Sequence, residues 1–173
     1  MDVKNDEAIE VTKRFLREAA IEKLPSLISK KISLRKDNVY LKTLFDNGIV
    51  IEDLHELEER YWYVTMLTGL LPNLRKLWHS KNFYTRASDS SIHGDNVLFL
   101  PITGKYYWGN YEVSKHDKFA MINYNTEGNN FILRRIRDKI VYIPELDIWL
   151  GKFCYDDTSA EPAFMGYFSL AHS

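Results

Sequence analysis

Cysteine is almost missing from this chain. Cys154 alone cannot form an internal disulfide, and no CxxC or Cys/His cluster offers a structural zinc site, so a reducing, cytoplasmic setting is expected. A surplus of charge is missing too. Lys plus Arg total 23 against 24 Asp plus Glu, and a net charge of -1 gives no electrostatic basis for a nucleic-acid or anionic-membrane partner. No run approaches the ~18 apolar residues of a membrane span, and the N-terminal stretch MDVKNDEAIEVTKRF lacks the apolar core of a secretory signal. GxGxxG, a Walker-type phosphate loop, HExxH and GxSxG are all absent. Nucleotide, zinc-hydrolase and serine-hydrolase chemistry therefore have no local support, and no cofactor or metal is expected.

What is present is enough for one domain with a real core: 173 residues, of which 45% are hydrophobic. The front of the chain reads as helical. Residues 6–23 carry Ile9, Val11, Phe15, Leu16, Ala19 and Ala20 at helical spacing, ended by Pro25; a shorter helix over 38–46 follows Asp37 and stops at Asn47 and Gly48; 52–60 suits a further turn or two. Beyond residue 60 the chain turns aromatic and β-branched. Strands are expected over 61–67, 96–101, 105–113, 118–124, 130–136, 139–144, 147–155 and 163–170, separated by hairpin-sized turn signals. The resulting expectation is an α+β, mainly β protein in which an N-terminal helical segment, 1–50, packs on an antiparallel up-and-down barrel, 51–173. Closure would remove the edges that so many hairpins otherwise leave exposed.

The short motifs LFDNGIVIEDLHELEERYW, LWHSKNF, RDKI, WLGKF and GYFSL resemble, in this order, a family of small uncharacterised proteins named for an N-terminal Gly-x-Trp-x-Gly motif and followed by a C-terminal domain of unknown function. The resemblance spans roughly residues 43–170. Trp62 stands at the family's tryptophan, while Arg60 and Val64 take the places of its glycines and Ser80 that of a glycine in a Trp-His-Gly-Lys stretch. The resemblance implies a compact barrel, lipocalin-like in outline, of a kind that tends to hold small apolar ligands.

Candidate site residues follow from strand periodicity. In LWHSKNF, His79 and Lys81 would share one face, with Trp78 on the other; His79 suits a proton carrier and Lys81 an anion partner, against the plainer reading of a surface strand end. In NNFILRRIRDKI, a continuous strand would put Ile132, Arg134, Ile136, Asp138 and Ile140 on the inner face, where Arg134 could receive a ligand carboxylate. Arg134 and Asp138 would then be about 13 Å apart, too far for an ion pair. The alternative is a chain that turns near Arg137 and leaves both in solvent. Lys152 alternates with Leu150 and Cys154 and so is a second inward cation, while Gly109 and Gly151 mark bends or close contacts. Trp78, Trp108 and Trp149 are expected to be largely buried, with Trp78, Trp108 and Met121 among the cavity lining. RRIRDK suits a solvated strand face better than RNA.

Three functions remain open on this reading. The first is binding of a small hydrophobic or amphipathic molecule in the barrel. The second is a small enzyme of isomerase or cyclase type with His79 or Asp138 as acid or base. The third is a protein-interaction module working through the helix 6–23.

Overall fold

A computed structural model describes residues 37–58, 60–69, 78–100, 104–156 and 162–172. They form β1 (Trp62–Met66), β2 (Trp78–Thr85), β3 (Ile92–Leu100), β4 (Gly104–Lys115), β5 (Ala120–Asn123), β6 (Arg137–Ile143), β7 (Ile148–Tyr155) and β8 (Ala163–His172), preceded by helix α1 (Asp37–Asn47). Every strand is antiparallel to its neighbours in sequence, and β8 pairs with β1 from Trp62 opposite His172 to Met66 opposite Phe168. The sheet is thus a closed up-and-down barrel without a free edge. The helix expected over 6–23 lies outside the described residues. Among the described residues no helix is long and apolar enough to cross a membrane.

Three local expectations are corrected. The segment 130–136 is not a strand: the chain turns at 131–132, forms a 3-10 turn over Leu133–Arg135, and only then enters β6 at Arg137. The cause is Asn130, whose Oδ1 accepts the N–H groups of Ile132 and Leu133 at 3.1 and 3.0 Å and so offers the backbone a partner other than a ladder. Conversely, β2 is a full strand over 78–85 that interrupts its own alternation with a bulge between Trp78 and Ser80. Farther on, β3 starts at Ile92, ahead of the expected Asn96.

The barrel is filled at one end. There the 3-10 turn Leu54–Leu57, its start capped by the Asp53 carboxylate accepting the His55 N–H, pushes Leu54 and Leu57 into the interior beside Trp62, Phe83, Ile92 and Trp149. Trp62 Nε1 donates to the Leu57 carbonyl at 2.7 Å, which satisfies the indole where water is excluded. A second apolar layer lies outside the barrel, where Leu41, Leu44 and Phe45 of α1 cover Val141, Ile143, Ile148 and Leu150. Strands β6 and β7 are therefore apolar on both faces. At Gly151 a Cβ would sit 2.2 Å from the Phe168 ring, so of the bend or close contact expected at this glycine it is the close contact that is present.

The filled end is also tied electrostatically. Asp147, at the β6–β7 turn with φ 48°, accepts hydrogen bonds from Tyr142 Oη at 2.6 Å and Arg60 Nη1 at 3.1 Å, and pairs with His172 Nε2 at 2.6 Å. The Tyr142 and His172 contacts, in that order, hold its pKa down to about 2. A carboxylate whose folded pKa is depressed contributes stability above its unfolded pKa and loses it as pH falls toward the folded value. Asn tolerates the left-handed backbone at this position. We expect Asp147→Asn to be less stable than wild type at neutral pH, with the difference shrinking as pH falls from about 4 to about 2 in urea titrations; a difference that does not depend on pH would deny the carboxylate this role.

Candidate functional site

At the other end the barrel is hollow. A cavity of about 300 Å³ opens between the start of β4, the β5–β6 connection, the end of β7 and the start of β8, walled by Trp78, Trp108, Leu133, Ile136, Phe153 and Met165. Asn96, Tyr124, Asn130 and Tyr155 also line it, but its exposed wall is almost wholly apolar. Beneath Asn96 and Tyr124 lies a fully buried ion pair: Lys81 Nζ stands 3.5 Å from Asp138 Oδ2, and both side chains have no solvent exposure.

Each member is brought inward by a distinct local cause. The β2 bulge absorbs one residue, so Trp78 and Lys81, three apart and on opposite faces of a regular strand, both point into the barrel. Lys81 pairs with Trp62 on one side and Asn96 on the other, and Asn96 pairs with Trp108, which makes one inward row across β1 to β4. A second register shift, between Gly94 and Asn96, sets Asn96 in that row. Next to it Gly109 takes φ +69°, and its carbonyl accepts Asn96 Nδ2 at 3.4 Å. Tyr124 continues the inward series Ala120 and Ile122 one step past the end of β5. Asp138 follows from the alternation Ile136, Asp138, Ile140, all three buried.

The polar atoms are closely matched. Lys81 Nζ donates to Asn96 Oδ1 at 2.9 Å and to Tyr124 Oη, while Asn96 Oδ1 also accepts Trp78 Nε1 at 3.1 Å. The single Tyr124 proton has two acceptors in reach, Asn96 Oδ1 at 3.2 Å and Asp138 Oδ2 at 3.4 Å. Asp138 Oδ1 makes no hydrogen bond among the described residues, although the Cys154 backbone N–H favours the charged carboxylate. The ammonium is also ringed by π faces: Trp78 and Tyr111 at 4.8 Å, Tyr124 at 5.0 Å and Phe168 at 5.7 Å from Nζ to centroid. Burial pulls Lys81 down to about 8 and pushes Asp138 up to about 6, each shift opposed by the charge of the other. Burial also raises the Tyr124 phenol well above its ordinary value, so Tyr124 stays protonated and donates.

The residues singled out from sequence separate into two groups. Trp78, Lys81, Trp108 and Asp138 converge on this end of the barrel, Trp108 as a half-buried cavity wall instead of the core residue expected. The other four do not. His79 is displaced outward by the bulge and meets Tyr61 Oη at 3.0 Å, so it does not share a face with Lys81. Arg134 is exposed on the 3-10 turn, where Nε donates to the Asn129 carbonyl; no strand carries it inward. Met121 is opposite Lys139 on the outer face, between the inward Ala120 and Ile122. Lys152 faces out with Leu150 and Cys154, its Nζ 3.9 Å from the centroid of Phe45 on α1. Sequence reasoning missed Asn96 and Tyr124; the period-two run Ala120, Ile122, Tyr124 was the available signal for the second, and the first had none. Among the described residues no group of His, Cys, Asp and Glu is arranged to hold a metal ion. Comparison with protein-family models, with curated proteins and with solved structures gives no match.

Proposed function

We propose that this barrel binds a small, largely apolar and uncharged molecule in the cavity at its open end, with one hydrogen-bonding group of the ligand directed at Tyr124 and Asn96. The observation that carries the reading is the combination of an almost wholly apolar wall with a buried ion pair beneath Asn96 and Tyr124, at the cavity floor, whose charges cancel. Apolar walls with a few convergent polar groups are the usual make-up of a small-molecule site. A carboxylate at that floor would be stripped of water opposite a Lys81 charge already answered by Asp138, and the cost of dehydrating it would go uncompensated. A carbonyl, hydroxyl or amide would not meet that cost. The lipocalin-like outline implied by the resemblance to the Gly-x-Trp-x-Gly family agrees with this reading. The reading in which an inward Arg134 receives a ligand carboxylate is set aside, because that side chain is exposed.

The test is a fluorescence titration with the neutral probe N-phenyl-1-naphthylamine, alongside its competition by laurate and by lauryl alcohol. We expect saturable binding, and displacement by the alcohol at a concentration about tenfold or more below that required of the carboxylate, a difference of ~1.4 kcal/mol. Met165→Trp, which fills the cavity from a half-buried position on its wall, should abolish probe binding and leave the unfolding midpoint within about 0.5 kcal/mol of wild type. Equal probe affinity in Met165→Trp and wild type would move the ligand elsewhere, and preference for laurate would overturn the neutral-ligand reading.

A further inference from the structure

Outside the barrel, between α1 and the strands β5 to β8, lies a separate cleft of about 600 Å³. Lys42, Lys118, Lys139 and Lys152 line it, and Asp46 is its one carboxylate among the described residues. Asp46 is already engaged by two of these cations, Lys42 one helical turn away and Lys152 at 3.5 Å. Lys118 and Lys139 meet no carboxylate among the described residues; Lys139 Nζ lies 4.8 Å from the centre of the Phe119 ring. Among the described residues the cleft therefore carries positive charge in excess, on a chain whose net charge is -1.

A second, independent feature is the strand register. Lys139 of β6 and Lys152 of β7 are direct cross-strand partners, so both side chains leave the same outer face side by side. Like charges directly opposite one another destabilise a sheet, and nothing in the strand pattern requires a lysine at both places. An anion seated between them converts that repulsion into two attractive contacts. Lysine ammonium groups act on phosphate as mobile point charges, so a pair of them suits a phosphate monoester's compact dianion. Apart from Asn38, the rest of the cleft is largely apolar and aromatic: Phe164, 46% exposed, sits 4.9 Å from Tyr167 centroid to centroid, and Phe119 and Pro162 also line it. An exposed ring of that kind is a platform for a flat or apolar ligand body.

We propose that this cleft binds a phosphate monoester with an aromatic or acyl body, the phosphate lying between Lys139 and Lys152 with Lys118 beside it and the body lying on Phe164. The site is distinct from the cavity inside the barrel: its residues project from the opposite face of the sheet and it does not depend on the cavity holding a ligand.

Calorimetric titration of the full chain with phenyl phosphate, with phenol and inorganic phosphate as separate controls, tests it. Phenyl phosphate should bind and raise the unfolding temperature, inorganic phosphate should bind more weakly, and phenol should not bind measurably. Lys139→Gln should weaken phenyl phosphate by about tenfold or more. The same variant, free of ligand, should unfold at a higher temperature than wild type, because the cross-strand repulsion is gone; this second readout also shows that the variant is folded. Lys118→Gln should weaken phenyl phosphate less, and neither change should alter binding of N-phenyl-1-naphthylamine inside the barrel, which keeps the fate of the two sites separable. Vesicles of phosphatidylcholine containing phosphatidic acid form the other arm. Co-sedimentation lost in Lys139→Gln, with no affinity for phenyl phosphate, would identify the phosphate as that of a lipid headgroup. Equal affinities of wild type and Lys139→Gln in both arms, or no binding in either, would overturn the proposal.

Discussion

Lys81→Met is expected to destabilise the protein by about 3–5 kcal/mol at pH 7, because it leaves the Asp138 carboxylate buried without its counter-charge. Asp138→Leu should cost a similar amount by stranding the ammonium, even though four aromatic rings stand within 5.7 Å of it. Removing both charges together, as Lys81→Met with Asp138→Leu, should be far milder than either alone and lie between neutral and about 1–4 kcal/mol more stable than wild type. The pH dependence gives the sign independently. Asp138 has its folded pKa raised from 3.8 to about 6, so the native state holds a proton that the unfolded chain has released, and this group's contribution to stability falls as pH rises through that window. Lys81 has its folded pKa lowered from 10.5 to about 8, so its contribution rises as pH climbs from about 8. Stability of wild type relative to the double variant should therefore pass through a minimum between about pH 6 and 8. Such a profile from chemical unfolding, with single variants that are not additive, would show a pair that costs stability where both charges exist. Additive single variants and a level profile would show instead that water or an exposed path already solvates the two groups.

The pair itself explains what could and could not be read from the chain. Asp138 is legible because Ile136 and Ile140 flank it at strand period, and the inward assignment holds for that stretch of β6. The same argument fails two residues earlier: Ile132, Leu133 and Ile136 fit a turn of helix as readily as a strand, and Asn130 decides the matter through its side-chain oxygen. Lys81 is legible as a polar residue of interest, whereas its pairing with Asp138 is not. The two lie on strands that meet only through the barrel interior, and their approach depends on a bulge that no alternation pattern announces. Lys152 shows the opposite difficulty. Leu150 and Cys154 beside it are buried, yet on the outer face, because α1 covers β6 and β7 from outside with Leu44 and Phe45. Where both faces of a strand are apolar, period two cannot say which is the interior. The barrel closure was accessible from the number and spacing of strands alone, since one misread strand over 130–136 and one omitted strand over 78–85 left the count unchanged.

Tryptophan truncation should divide the filled end of the barrel from the hollow one. Trp149 is 2% exposed and packs its ring 5.6 Å from Tyr142 within the inner cluster, so Trp149→Ala removes a large buried side chain from a site that is enclosed on all sides. A loss of about 3–5 kcal/mol is expected in denaturant unfolding, made up of the lost transfer energy and an unfilled hole. Trp108 pairs with Asn96 in the same kind of inward row but stands on the cavity wall, where one side of the ring has no packing partner to lose. Trp108→Ala should cost less than half as much as Trp149→Ala. Its main effect should fall on ligand choice, because shortening a wall residue enlarges a cavity of about 300 Å³. Probes bulkier than N-phenyl-1-naphthylamine should gain affinity in Trp108→Ala relative to the parent probe, while Trp149→Ala, where folded, should leave that ratio unchanged. If the two truncations cost the same and neither alters the order of probes, the barrel is packed along its whole length and the open end does not hold the ligand.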